Sequence, residues 1–477
     1  MLFTEYFGLS KTQLELDFVD SPVEKDIKLF VDPFAISQRE DNFSRNCNRS
    51  IIAFFQHIVD AIRSNDLETA RYLTTYFKEP AEIGFGFSVS TRRGRGMQRD
   101  GQAKKMLDAL QESSAVKTGF IHYIEESELL IDGIGRDKIS DLTASIIRNY
   151  LAEYTKQQCD LYNIPTQNVL LKPYYSPCAG KWITNNFDLP IVMGQSVLLV
   201  PKAFARYDPA YNRQDYYNNF VITTLQEAHL SANSSLVQTL RNGQKRVYKK
   251  DVKADFKLTT QNLYIFCKDH PSEMNRYRAE LERLEINKNQ YRGKEGEEEL
   301  IANSLIAALK SIPSGNDSAR EYHRMMIGII EFIFFPHLLY PQKEVEINEG
   351  RKRIDITMEN GARQGILNEL HSVRHLPCNY VPFECKNYSL DIANPELDQI
   401  SDRFSLERGI LGFLCCRQFQ DRPVFLERCR DSFKEDRGLI IPLDDERIIQ
   451  LLLVISNNKR NSVENIIRQY IDEIWRS

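Results

Sequence analysis

Two short apolar runs in the last third of the chain, RIDITM at residues 353–358 and VPFECK at residues 381–386, each contain one acidic residue. Their β-branched and aromatic side chains predict two strands. Because the side chains of a strand alternate between its two faces, Glu384 and Lys386 point to the same side. If the two strands pair, Asp355 lies beside Glu384. Two carboxylates and an ammonium group then meet at one edge of a sheet.

These groups match the needs of phosphodiester hydrolysis. Hard divalent cations prefer oxygen ligands. Hydrolysis of a phosphodiester needs such a cation and a nearby positive charge. The stretch at residues 351–388 therefore says more about function than any other part of the sequence.

The overall composition limits the class of protein. At 477 residues the chain is long for one domain, and a hydrophobic content of 42% is enough for a sizeable core. The net charge of −4 excludes a surface that is basic throughout, so any contact with nucleic acid has to be local. The nine scattered cysteines predict reduced thiols and argue against a structural zinc site. No signal peptide or membrane span is predicted, and we expect a cytoplasmic protein.

Residues 1–290 predict a mainly helical α+β region, as one unit or two subdomains, with a role in sensing, binding or regulation. Within it, the run SELLID at residues 127–132 predicts a strand that leads through a glycine turn into a helix. A helical connection and linker follow at residues 291–317. We recognise no family in residues 1–290.

Two segments of this region are rich in basic residues. The glycine-rich run at residues 84–100 carries four arginines and suits a loop around a phosphate backbone, with a solvated surface loop as the alternative. The densest basic patch is RNGQKRVYKKDVK at residues 241–253, where Tyr248 can stack on a base. A solvated basic helix is the alternative for this second segment. The residues of the patch that we predict to contact nucleic acid are Arg241, Lys245, Arg246, Lys249 and Lys250.

Residues 318–477 predict a mixed α/β sheet flanked by helices, in the order helix, three strands, helix, strand, helix, strand, helix. The first of these helices is strongly apolar but contains Glu331, which is costly to bury as an ion unless it is paired or binds a cation. A salt bridge to a basic neighbour is the alternative for Glu331, and Glu321 is the competing acid on the same helix. A later predicted helix at residues 395–408 carries Gln399 and Arg403.

Over residues 318–455 these motifs resemble the PD-(D/E)xK, or restriction-endonuclease-like, nuclease superfamily. The superfamily motif is an acid on the second core strand, matched by Asp355, and an acid-x-lysine triplet on the third, matched by Glu384-Cys385-Lys386. The run FECKNYSLDIANPELDQISDRF is similar to nuclease domains of bacterial restriction and phage-defence proteins. One departure is that Ile354, and not proline, precedes the first acid.

Two further features of the superfamily have counterparts here. Members often carry a glutamate on the helix before the sheet, matched by Glu331, and a polar helix after the lysine strand, often with a glutamine, matched by Gln399. The resemblance implies that Asp355 and Glu384, helped by the carbonyl of Cys385, bind one or two Mg²⁺ ions, with Mn²⁺ as the alternative ion. It also implies that Glu331 binds a second ion directly or through water.

Lys386 would then lower the pKa of the attacking water or stabilise charge on the phosphorane oxygens. The basic residues before the metal acid would hold the flanking phosphates, and the polar helix would add further contacts to nucleic acid. The residues with these predicted nucleic-acid contacts are Arg351, Lys352, Arg353, Gln399 and Arg403.

The resemblance implies a metal-dependent endonuclease that cleaves DNA in bacterial anti-phage defence or restriction. A ribonuclease of the same fold and a nucleic-acid-binding module that does not cleave are the alternatives. Because double-strand cleavage usually needs two active sites, we expect a homo-oligomer, either a dimer or a tetramer. We expect the N-terminal region to gate its activity, in response to an unidentified phage-derived trigger or partner protein.

Overall fold

The computed structural model describes residues 1–76, 80, 82–85, 99–287, 297–347, 352–389, 392 and 394–475. The side chains at 99–103, 344–347 and 352–354 lie outside the described set. Of the arginines in the glycine-rich run, Arg92, Arg93 and Arg95 lie outside the described residues, and Arg99 is described by its backbone alone.

The N-terminal region is mainly helical. Its described helices are α1 (Phe3–Tyr6), α2 (Pro33–Ser37), α3 (Asn42–Arg63), α4 (Leu67–Thr74), α5 (Arg99–Glu112), α6 (Ser114–Thr118), α7 (Ser127–Leu130), α8 (Arg136–Ile146), α9 (Arg148–Tyr162), α10 (Arg213–Tyr216), α11 (Ile222–Ser231), α12 (Lys249–Asp255), α13 (Thr260–Asp269) and α14 (Pro271–Asn287).

Short strands pair antiparallel within the same region, as β1 with β8, β2 with β5, β3 with β4, β6 with β7 and β9 with β10. These strands are β1 (Phe30–Val31), β2 (Gln167–Leu170), β3 (Tyr174–Ser176), β4 (Lys181–Ile183), β5 (Asn186–Leu189), β6 (Ile191–Val192), β7 (Gln195–Ser196), β8 (Ala205–Arg206), β9 (Gln238–Thr239) and β10 (Lys245–Arg246). The α+β character that the sequence predicts for residues 1–290 is therefore present.

Helix α3 shows how the sequence specifies this region. The carboxylate of Asp41 caps its first turn by accepting a hydrogen bond from the backbone N–H of Ser44 at 2.7 Å. Its buried face is apolar at helical spacing, with Ile51, Phe54, Phe55 and Ile58 among its members. By contrast, the strand predicted at residues 127–132 is wrong, because these residues begin as α7.

The C-terminal region contains the larger sheet. Its described helices are α15 (Glu297–Ser311), α16 (Ala319–Phe334), α17 (Gly365–Asn368), α18 (Asn394–Ser401), α19 (Arg422–Lys434), α20 (Asp445–Ser456) and α21 (Val463–Trp475). Its described strands are β11 (Leu338–Ile347), β12 (Lys352–Asn360), β13 (Tyr380–Lys386), β14 (Leu411–Cys416) and β15 (Leu439–Asp444). Helix α15 packs along α20, so it belongs with the sheet.

The strands of this sheet lie side by side in chain order, from β11 to β15. The pairs β11–β12 and β12–β13 are antiparallel, whereas β13–β14 and β14–β15 are parallel. The mixed α/β sheet predicted for the C-terminal region is confirmed at this level. Among the helices of the described residues, none is long and apolar enough to cross a membrane.

One face of the sheet is covered by α16. The ring of Phe334 on this helix lies 5.5 Å from the ring of Phe383 on β13 and 5.2 Å from that of Phe413 on β14, between ring centroids. Since neighbouring residues of a strand face opposite sides, Glu384 and Lys386 point away from α16. On that opposite side α18 packs over β14 and β15.

The two regions share buried polar contacts. Glu359 on β12 accepts a hydrogen bond from the backbone N–H of Asn42 at 3.1 Å and so caps the start of α3. Burial, followed by the negative charge of Asp41, raises the pKa of Glu359 to about 7. A second contact joins Lys202 to Glu331 on α16, with Nζ and Oε1 3.1 Å apart. The sheet is thus tied to the N-terminal region from both β12 and α16.

Candidate active site

The pairing of β12 with β13 brings the predicted acids together. The antiparallel register aligns Ile356 with Phe383, which places Asp355 opposite Glu384 at the next position. The backbone N–H of Cys385 donates a hydrogen bond to Oδ2 of Asp355 at 3.0 Å. Asp355 is half-buried, whereas Glu384 is completely buried. The strand pairing expected from the sequence is therefore present.

Two cations contact the buried carboxylate of Glu384. Lys386 Nζ donates to Oε1 at 2.6 Å, and the guanidinium of Arg403 forms an ion pair with Oε2. The ammonium of Lys386 also donates to Oε1 of Gln399 at 3.0 Å. Asp355, Glu384, Lys386, Gln399 and Arg403 form the cluster that we call the edge site.

The charges of the edge site explain how a carboxylate can lie within the sheet. An isolated ionised carboxylate at this depth would be costly, and the cost is offset only by close partners. Among the described side chains, the positive charges of Lys386 and Arg403 balance the negative charges of Asp355 and Glu384. Burial lowers the pKa of the Arg403 guanidinium, and the negative charge of Asp355 opposes this shift.

Arg403 reaches the edge site from a turn and not from a helix. The predicted helix at residues 395–408 is too long, because α18 ends at Ser401. The following Phe404 packs over Gly412 and Gly438, where an added Cβ would overlap its ring. The chain turns after Ser401, and the backbone N–H of Arg403 donates to the carbonyl of Ile400 at 3.1 Å within this turn. Gln399 lies on α18 as predicted.

Glu331 lies at the contact between α16 and the N-terminal region. Its carboxylate is completely buried and pairs with Lys202 of the N-terminal region, whose ammonium also lies 4.1 Å from the ring centroid of Phe335. Burial raises the pKa of Glu331 to about 8, the charge of Lys202 lowers it, and that of Asp17 raises it. This contact is a salt bridge of the kind that the sequence offers as the alternative to a metal contact for Glu331. The competing acid, Glu321, is exposed on α16.

The donor set of the edge site is suited in kind to Mg²⁺ or Mn²⁺. Asp355 and Glu384 offer carboxylate oxygens, and the backbone carbonyl of Cys385, the residue after Glu384, is a third oxygen. Within the described residues, no group of three or more histidine, cysteine, aspartate and glutamate side chains is placed to hold a metal ion. A cation bound at Glu384 would lie beside Lys386, which contacts Oε1, and beside Arg403, which contacts Oε2.

The basic residues before Asp355 are described only in part. Arg351 lies outside the described residues, and Lys352 and Arg353 belong to β12 with side chains outside the described set. The structure therefore adds no side-chain contact for these three predicted phosphate ligands.

The second basic segment is fully described. It forms the end of the β9–β10 hairpin and the start of α12, and not one continuous helix. Its five predicted nucleic-acid contacts are all exposed, and the cations of Arg246 and Lys250 lie 5.0 and 5.8 Å from the ring centroid of Tyr248. These exposed residues are Arg241, Lys245, Arg246, Lys249 and Lys250.

The sequence predicts a nucleic-acid contact for Arg403 and does not indicate its ion pair with Glu384. Charge balance was the available signal, because a buried acid and a half-buried acid beside one lysine favour a second cation. Lys202 was missed for a different reason: nothing in a local pattern connects it to Glu331.

The comparisons with known proteins reach only the N-terminal region. A family model described as a domain of unknown function, DUF8370, matches residues 8–212. No curated protein matches the chain. No solved structure matches it either. The matched span ends before the first residue of the five-stranded sheet, so the edge site lies outside the part of the chain that resembles this family.

Proposed function

We propose that this protein is a metal-dependent endonuclease of the PD-(D/E)xK type that hydrolyses phosphodiester bonds in DNA. The observation that carries the proposal is the convergence of Asp355, Glu384 and Lys386 on two paired strands. The sheet supports it, because a helix, an antiparallel three-strand meander, a helix and a parallel fourth strand follow in the order that the resemblance implies.

In this proposal the residues of the edge site have separate chemical roles. Asp355, Glu384 and the carbonyl of Cys385 would hold the cation, which supplies Lewis acidity and a bound water of lowered pKa. Lys386 is held by Glu384 and Gln399, so its ammonium is oriented before a substrate arrives. A fixed ammonium at this position would stabilise the charge that develops on the phosphoryl oxygens.

The exposed basic segment at residues 241–253 supplies a second contact to nucleic acid in this proposal. Its cations would bind phosphates without regard to sequence, and Tyr248 would offer a face for a base.

The proposal also includes a homo-oligomer acting in bacterial defence against phage, since a double-strand break needs two sites. We expect the mass of the full chain in solution, measured by light scattering, to exceed that of a monomer, and a purely monomeric protein would contradict this part.

The test of the proposal is cleavage of supercoiled plasmid by the full chain. We expect nicked and linear products with Mg²⁺ or Mn²⁺, none with EDTA, and none from Asp355→Asn. The matched control is Asp398→Asn, because Asp398 is an exposed acid of α18 that pairs with Arg437 and not with the edge site. Equal cleavage by wild type and Asp355→Asn would remove Asp355 from the site. Matched single-stranded and duplex RNA substrates test the ribonuclease alternative.

The second candidate function is a nucleic-acid-binding module that does not cleave. The balanced charges of the edge site favour it, because Glu384 is already neutralised by Lys386 and Arg403. Tight binding of DNA or RNA in the presence of Mg²⁺, without cleavage of any substrate, would support this candidate and contradict the nuclease.

A further inference from the structure

The guanidinium of Arg403 contacts the carboxylate oxygen of Glu384 that Lys386 leaves open. Lys386 holds Oε1, and Arg403 holds Oε2. Both oxygens belong to a side chain that is 1% exposed, and the side chain of Arg403 is 6% exposed. The contact is therefore part of the interior of the protein and not an exposed surface ion pair.

A divalent cation and Arg403 compete for the same place. Arg403 lies against Oε2, the oxygen of Glu384 that Lys386 leaves open for an inner-sphere cation. The charges favour displacement of Arg403, because a divalent cation added beside Lys386 and Arg403 would leave an excess of positive charge in a buried site. Exchange of Arg403 for the cation reduces that excess.

The fold allows Arg403 to leave without unfolding its segment. The backbone of Arg403 is fixed by the hydrogen bond from its N–H to the carbonyl of Ile400 and by one from Arg408 Nη2 to its own carbonyl at 3.2 Å. Phe404 anchors the turn on Gly412 and Gly438. The side chain of Arg403 can therefore change its rotamer while the turn stays in place.

We propose that Arg403 is a built-in competitor of the metal ion, which neutralises Glu384 in the metal-free protein and must be displaced before the edge site can be loaded. This inference rests on the proposed function, because it assumes that Asp355 and Glu384 bind a divalent cation. It adds that metal affinity is set by a residue beyond α18 that is not itself a metal ligand. Arg403 is in this sense a positioning residue.

The test is a Mn²⁺ titration of the full chain without nucleic acid, with free Mn²⁺ measured by electron paramagnetic resonance. We expect Arg403→Met to bind Mn²⁺ at least about tenfold more tightly than wild type, because the ion no longer displaces a guanidinium from Glu384. Arg403→Lys should lie between the two. Arg437→Met is the matched control, since it removes an exposed cation that pairs with Asp398 on α18, and its affinity should equal that of wild type.

A second measurement uses the wild-type chain, so the test does not depend on whether Arg403→Met folds. Saturating Mg²⁺ should shift the Nε–Hε nuclear magnetic resonance signal of Arg403, assigned by its absence from Arg403→Lys, because the guanidinium leaves Glu384 while the turn stays in place. Thermal unfolding with and without Mn²⁺ should show a larger stabilising shift for Arg403→Met than for wild type.

The outcomes separate this inference from the proposed function. Equal Mn²⁺ affinity in wild type and Arg403→Met, or an unchanged Arg403 guanidinium signal in a wild-type chain that binds the divalent cation, would overturn the competition and leave the metal site intact. Failure of all variants to bind Mn²⁺, together with the absence of cleavage, would overturn both.

Discussion

Replacing Lys202 with methionine is expected to lower the free energy of unfolding by about 3–5 kcal/mol, because it leaves a buried carboxylate without its cation. Lys202 and Glu331 are 1% and 0% exposed, and the ammonium is 3.1 Å from Oε1. Methionine keeps most of the apolar stem, so the loss reports the charge and not a cavity. Urea denaturation of the full chain at a pH above about 8, where Glu331 is ionised in the folded wild type, measures it.

Glu331→Gln provides the control for this prediction. Burial raises the pKa of Glu331 to about 8 in the folded chain, well above its value near 4.5 in the unfolded chain. Folding therefore favours the protonated form of the Glu331 carboxyl group. Its contribution to the free energy of unfolding is complete below about pH 4.5 and is lost as the pH rises through about 8. We expect Glu331→Gln to reduce the fall in stability across that range.

The double variant completes the cycle. Lys202→Met combined with Glu331→Gln removes both the cation and the carboxylate, and it should recover most of the stability lost in Lys202→Met. The burial of Asp17, which raises its own pKa, limits that recovery, because the charge of Lys202 also lowers the pKa of Asp17. Stability of Lys202→Met within about 1 kcal/mol of wild type would show that the ion pair adds little.

Lys386→Met is expected to reduce the cleavage rate by about 10²–10³-fold, the usual effect of removing a fixed group that stabilises transition-state charge. Its ammonium is held 2.6 Å from Glu384 Oε1 and 3.0 Å from Gln399 Oε1, and these contacts prevent it from turning into solvent. The measurement is single-turnover cleavage of plasmid with saturating Mg²⁺, which isolates the chemical step from product release.

The same variant should leave metal binding in place. Lys386 is not a metal ligand in the proposed site, so its Mn²⁺ affinity should remain close to that of wild type or become tighter. Lys434→Met is the matched control, because Lys434 is an exposed residue at the end of α19 and contacts none of the edge site. Cleavage by Lys386→Met within about threefold of wild type would exclude an electrostatic role in the transition state.

The elements that form the edge site could be predicted from sequence because local patterns specify them. The apolar run at residues 319–335 predicts a helix, and α16 spans Ala319–Phe334. The alternation in RIDITM and VPFECK places Asp355 and Glu384 on strands, and the pairing of β12 with β13 then brings them together. Periodicity and strand alternation are properties of neighbouring residues, so one sequence is enough to read them.

The contacts that decide the charge of the site could not be predicted in this way. Arg403 lies beyond the end of α18, and the next residue, Phe404, packs over Gly412 on β14 and over Gly438, which precedes β15. Glu331 found its partner in Lys202, which belongs to a distant segment of the chain. Both outcomes depend on tertiary packing, which overrides local helix preference and is invisible to a pattern of adjacent residues.

The attachment of the sheet to the N-terminal region determines how the two parts can be studied separately. A fragment that begins at Glu297 would keep every member of the edge site but lose Lys202, the partner of buried Glu331. It would also expose Glu359, which in the full chain caps α3. Loss of cleavage in such a fragment would therefore report a damaged fold as readily as a missing regulator. Point variants in the full-length chain are the sounder way to dissect this protein.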